Sequence, residues 1–140
     1  MSPADAKGPD RILIVESRYY PEIADGLIAG ALPLLEEAGL NHERLEVPGV
    51  FEIPATVRHA AFGGNYAGFL TFGCVIRGET THYDHICEEA SRAIMDLTMR
   101  DSLALGFGIL TCETMDQAIV RANPKGKNKG AEAARACIAM

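Results

Sequence analysis

Two hydroxyls and two histidines crowd the stretch Arg77–His85, RGETTHYDH. Gly78 allows a sharp backbone turn, and Thr80 or Thr81 is the residue type that caps a helix. The free N–H groups and dipole at a helix start favour an anion. His82 would lie beside that anion, and histidine is the side chain suited to trading protons near neutral pH. An ordinary threonine cap followed by an exposed histidine gives the same letters, so this segment alone decides nothing. A metal site from His82, Asp84 and His85 is weaker. Only neighbours three or four residues apart share a helix face, and no further ligand cluster appears elsewhere.

Other segments offer complementary chemistry. In Val47–Pro54, VPGVFEIP, the Pro48-Gly49 pair makes a tight turn, Phe51 supplies an aromatic wall and Glu52 a carboxylate. An acidic residue in a first helical turn is also a common dipole partner, so Glu52 has a purely structural reading too. Ser17–Tyr20, SRYY, presents rings on which a flat heteroaromatic ligand would stack. Phe107, within ALGFGIL, fits core as well as site. Arg121 ends a helical pattern, where a cation favours the dipole. Lys125, Lys127 and Lys129 form a basic cluster, and such clusters are usually solvated surface.

These residues need a scaffold, and the apolar pattern supplies one. Arg11–Glu16 reads as a buried strand. Pro21–Ala38 carries apolar residues at Ile23, Leu27, Ala31, Leu34 and Leu35, one helix face, with Gly39 as its stop and Pro33 as a point of kinking. Arg44–Val47 reads as a weaker strand, and Pro54 opens a helix that runs to about Phe62 and ends at Gly63-Gly64. Gly68–Ile76 is a strong buried strand. A helix with Ile86, Ala90, Ile94 and Leu97 on one face follows the opening motif. Ala104–Thr111 is a fourth strand, and Thr114–Ala122 and Asn128–Met140 are two last helices. Strands alternating with helices imply a parallel sheet covered on both faces, with right-handed crossovers. The ligand site of such a domain lies beyond the carboxyl ends of its strands. All four reactive-looking segments begin just there: after the first strand, the second, the third, and, at Cys112-Glu113-Thr114, the fourth.

Composition narrows the function class. The 140 residues suit one domain with one core, and 48% hydrophobic with 23% charged residues is globular composition. The expected division is a flexible tail over residues 1–10 and a single α/β domain over residues 11–140. A net charge of −6 speaks against a nucleic-acid surface, and the local lysines suit a small anion better than a polymer. No apolar run is long enough to span a membrane, and MSPADAKGPD has no apolar signal region, so a cytoplasmic protein without membrane attachment is expected. Cys74, Cys87, Cys112 and Cys137 are widely spaced with no C-x-x-C pair, which fits buried reduced thiols rather than a zinc or redox motif.

Taken together, VPGVFEIP, GCVIRGETTHYDH, FGILTCETMDQA and NKGAEAA resemble the 6,7-dimethyl-8-ribityllumazine synthase family from about Arg11 to Met140. The resemblance implies a three-layer α/β sandwich whose four-stranded parallel sheet has the flavodoxin-like order. It implies condensation of 5-amino-6-(D-ribitylamino)uracil with 3,4-dihydroxy-2-butanone 4-phosphate, with no metal or organic cofactor. Tyr19, Val50, Phe51, Glu52, Cys74, Val75, Ile76 and Phe107 fall at the family's pyrimidine-side positions. Glu79, Thr80, Arg121 and Lys129 fall on the phosphate side, and His82 at the proton-transfer position. Phe107 and Arg121 would come from a neighbouring subunit of a homopentamer. Assembly into a 60-subunit shell and association with riboflavin synthase stay open. Two departures stand out: Arg18-Tyr19-Tyr20 where the family often has Arg-Phe-Asn, and Glu79 where many members carry a small residue. A binding or cage protein without turnover is the competing reading, though it would be expected to lose at least one of His82, Arg121, Thr80 and Glu52. A flavodoxin-like electron carrier lacks its Ser/Thr-rich loop here.

Overall fold

The computed structural model describes residues 10–78 and 82–140. The chain runs β1 (Arg11–Ser17), α1 (Pro21–Glu37), β2 (Asn41–Val47), a 3-10 turn (Val50–Glu52), α2 (Ile53–Phe62), β3 (Gly68–Ile76), α3 (His82–Arg100), β4 (Leu105–Cys112), α4 (Met115–Ala122) and α5 (Lys129–Ala139). All strands are parallel, in the order β2-β1-β3-β4. This is the three-layer, flavodoxin-like α/β sandwich expected from the pattern and the resemblance.

Alternation along the strands splits the core between the two faces. Ile12, Ile14, Leu70, Phe72, Leu110 and Cys112 face α1, α4 and α5, meeting Leu27, Ala31, Ala118 and Ala134. Leu13, Val15, Phe69, Leu105 and Ile109 face α2 and α3, meeting Val57, Ala90, Ile94 and Leu97. A strand buried on both sides reads as a continuous apolar run, which is why RILIVE and GFLTFGCVI stood out. The NKGAEAA segment is explained by contact rather than chemistry. A Cβ at Gly130 would fall 2.0 Å from the Leu27 carbonyl oxygen, so only glycine lets α5 lie this close to α1.

Several boundaries shift. β2 begins at Asn41, three residues before the expected Arg44, because its pairing with β1 already starts at Arg11–Asn41. Its polar, exposed sequence hides that extension. Asp10 was placed in the tail, yet its carbonyl accepts the Asn41 N–H at 3.1 Å. β4 is displaced by one residue, to Leu105–Cys112. Thr114 is a cap rather than a helical residue, since its hydroxyl accepts the Gln117 N–H. α1 continues through Pro33. Among the described residues, no helix is long and apolar enough to cross a membrane.

Candidate functional site

The sheet order reverses between β1 and β3, and a cleft of about 660 Å³ opens at their carboxyl ends. This is where a doubly wound sheet leaves room for a ligand. Three segments build its walls.

The β1–α1 connection supplies Tyr19 and Tyr20, whose rings meet edge to face with centroids 4.9 Å apart and planes at 76°. Tyr19 is 75% exposed, leaving its ring available for stacking, whereas Tyr20 packs against the core. Burial, with Tyr19 and Cys74 nearby, pushes the Tyr20 phenol up, so it stays neutral at physiological pH. The segment after β2 supplies Val50, Phe51 and Glu52. The Glu52 N–H donates to the Gly49 carbonyl at 3.2 Å, curling this stretch into a 3-10 turn. Val50 is thereby driven down onto the sheet. It fits because Gly73 below it has no side chain: a Cβ there would lie 2.8 Å from Val50 Cγ2. Phe51, 56% exposed, and Glu52 remain at the surface of the cleft.

The third wall is the end of β3, Cys74, Val75 and Ile76. Burial, reinforced by Cys112 and Cys87, pushes the Cys74 thiol up to about 12. It is therefore a protonated, weakly polar part of the wall and not a nucleophile. Cys112 and Cys137 are also buried, and Cys87 is half-buried, a point the cysteine spacing left open. His82, the first residue of α3, reaches the same cleft. Arg77 ties the surrounding elements together. Its Nε donates to Glu113 at 2.7 Å, its guanidinium pairs with Asp84 at 3.4 Å, and it lies 4.4 Å from the Tyr83 ring centroid.

Among the residues expected to act, Tyr19, Val50, Phe51, Glu52, Cys74, Val75, Ile76 and His82 thus border one cleft. Phe107, Arg121 and Lys129 do not line it. Phe107 is 44% exposed on the edge strand β4, so it is not the core residue its apolar context also allowed. Arg121 donates to the Gln117 carbonyl at 3.1 Å, and Lys129 pairs with Glu132 at 3.1 Å. Glu79, Thr80 and Thr81 lie outside the described residues. Among the described residues no group of three or more His, Cys, Asp or Glu side chains is placed to hold a metal ion.

Comparison with known proteins bears on this arrangement. The family model for 6,7-dimethyl-8-ribityllumazine synthase matches residues 10–140. A 6,7-dimethyl-8-ribityllumazine synthase from Paramagnetospirillum magneticum is 49% identical over 137 residues, covering 93% of this chain and 91% of the relative. One from Zymomonas mobilis is 48% identical over 130 residues, covering 93% of each chain. The chain belongs to the 6,7-dimethyl-8-ribityllumazine synthase family. It is an enzyme of riboflavin biosynthesis.

Within this lumazine synthase framework, some lining residues carried no expectation of a role. Ser17 ends β1 at the cleft, 3% exposed, with its hydroxyl unpaired among the described residues. Ile86 also lines it, as does Tyr20, one of the two rings already expected at this strand end. The signal for Tyr20 was its place beside Tyr19 after a strand. Ile86 was absorbed into the helix face, and nothing in the letters separates its two roles. Glu16 went unnoticed as well. Alternation puts it on the same face as Ile12 and Ile14, and an acid in that register demands buried cationic partners.

Proposed function

We propose that the enzyme condenses 5-amino-6-(D-ribitylamino)uracil with 3,4-dihydroxy-2-butanone 4-phosphate, giving 6,7-dimethyl-8-ribityllumazine, phosphate and water, in the cytoplasm. The observation that carries this reading is the meeting of the exposed Tyr19 ring, an apolar strand end and His82 in one cleft at the sheet's switch point. The flat pyrimidine stacks on Tyr19. Val50, Phe51 and Glu52 hold the ring and its ribityl chain, and the Cys74–Ile76 strand end meets the ring edge. The phosphate is assigned to Glu79 and Thr80, which precede α3 in the sequence.

The reaction runs through an imine, loss of phosphate and ring closure. The pyrimidine amine attacks the ketone and water leaves. A proton then leaves the adjacent carbon as phosphate departs, the resulting enol becomes a ketone, and the ribitylamino nitrogen attacks that carbonyl and expels a second water to close the ring. Each stage moves protons, the task assigned to His82. Holding two substrates in register lowers the entropic part of the barrier, which needs no strong acid or base. Phe107, Arg121 and Lys129, away from the cleft of their own chain, serve the site of a neighbouring copy in a homopentamer. There Phe107 contacts the pyrimidine side, and Arg121 with Lys129 the phosphate.

Purified protein given both substrates should develop lumazine absorbance in the absence of added metal or cofactor. Absence of turnover under these conditions sinks the reading.

A further inference from the structure

Glu16 is 2% exposed, yet it is a carboxylate on an apolar strand face. Two guanidinium groups hold it. Arg44 of β2 donates from Nε to Oε2 at 2.7 Å and from Nη2 to Oε1 at 3.1 Å. Arg18 donates from Nη1 to Oε1 at 2.8 Å, and its other terminal nitrogen reaches Asp25 of α1 at 2.5 Å. A buried carboxylate with both oxygens occupied is costly to build and fixed once built. Stapling β2 to β1 requires only the Arg44 half. The Arg18 half ties down something else.

Arg18 is the first residue of the short connection between β1 and α1, and Tyr19 is the next. On the far side Tyr20 caps α1, its carbonyl accepting the N–H groups of Ile23 and Ala24, each at 3.1 Å. Tyr19 thus sits between two tethered residues, with the Tyr20 ring edge-on against it. We infer that Arg18 is a positioning residue that fixes the Tyr19 ring for the ligand of the cleft, with buried Glu16 as its anchor. The inference rests on the proposed reading of the cleft as the pyrimidine site.

The test compares Arg18→Met with Arg44→Met. Both remove one partner of the same carboxylate, but only Arg18 belongs to the connection that carries Tyr19. Arg18→Met should raise the KM for the pyrimidine about tenfold, while the KM for the sugar phosphate and kcat stay within about threefold, since misplacing a substrate-positioning group weakens one substrate's orientation. Arg18→Lys, which keeps the charge, should recover most of that loss and serves as the second variant if Arg18→Met folds poorly. Arg44→Met should lower the melting temperature and leave both KM values within about twofold of wild type.

An independent readout uses no activity. The near-UV circular dichroism arising from the Tyr19–Tyr20 couple, defined by the difference between wild type and Tyr20→Leu, should collapse in Arg18→Met and persist in Arg44→Met. Equal effects of the two methionine variants on the pyrimidine KM, or an unchanged aromatic signal in Arg18→Met, would overturn the inference. A wild-type protein without turnover would defeat the functional reading instead, and the dichroism comparison would still decide whether Arg18 holds the ring.

Discussion

Two residues show how burial sets chemistry in this protein, one by exposure and one by enclosure. His82 stands at the first position of α3 and lines the cleft, which is why proton transfer is proposed for it. His82→Ala should lower kcat by about tenfold, below the roughly 10²–10⁴-fold typical of a general acid–base group, because orientation supplies much of the rate. A loss beyond about a thousandfold, measured under saturating substrates, would show that proton transfer dominates. Glu16 is the opposite case. Burial alone would raise its carboxyl, but hydrogen bonds and charge from Arg44 and Arg18 outweigh burial and hold it below the ordinary glutamate range. Its pKa is therefore lower folded than unfolded. The stability it contributes is complete above the unfolded value of about 4.3 and is lost as the pH falls through the lower folded value. Urea midpoints of the wild type should fall as the pH drops below about 4, and Glu16→Gln should show a shallower fall. An identical acid limb in the two proteins would contradict this. His82 was legible in the letters because it opens a helix after a strand. Glu16 was not, because one acid within an apolar run is averaged away unless its face is followed residue by residue.

At the scale of elements, the legible ones bury two faces and the illegible ones bury little. β3 was read with correct bounds, since most of its residues are buried and none is charged. β2, with only Val47 fully buried, was read three residues short. Its definition comes from backbone pairing with β1, which no side-chain pattern reports. The 3-10 turn at Val50–Glu52 was missed for a related reason: the Gly49–Glu52 hydrogen bond is local, and its purpose is seating Val50 over Gly73. The tight seam between α1 and α5 yields a direct prediction. Gly130→Ala places a methyl group against the Leu27 carbonyl, a backbone atom that cannot swing aside. The helices must separate, and overpacking of this kind costs about 1–3 kcal/mol. Thermal or urea denaturation should show that loss. A variant as stable as wild type would mean that α5 slides along α1 at no cost.

At the scale of the whole molecule, the proposed site calls for residues that this chain does not bring to its cleft, and that is where the sequence pattern and the single chain part company. Tyr19, Val50, Phe51, Glu52, Cys74, Val75 and Ile76 meet in one cleft because they end or follow strands of one sheet. Phe107, Arg121 and Lys129 could be grouped with them only through the family resemblance, since they do not line this chain's cleft. Phe107 lies on an edge strand, and Met95, Met99, Ile119 and Val120 are further large apolar residues left open on α3 and α4. In a ring built by a head-to-tail interface, each site would take its cleft from one chain and its arginine from the next. Subunit mixing tests this. Phe51→Asp should spoil the pyrimidine wall without unfolding, because Phe51 is already largely exposed. Arg121→Ala should mainly raise the KM for the sugar phosphate, so that at low sugar phosphate it is nearly silent. In an equal mixture refolded together, an intact site needs Arg121→Ala on the cleft side and Phe51→Asp on the arginine side. Random assembly gives that at about one site in four. Activity should therefore rise from near zero in either variant alone to about a quarter of wild type in the mixture, with light scattering reporting five chains per particle or a multiple of five. A mixture no more active than its components would place Arg121 with the cleft of its own chain, or outside the site altogether.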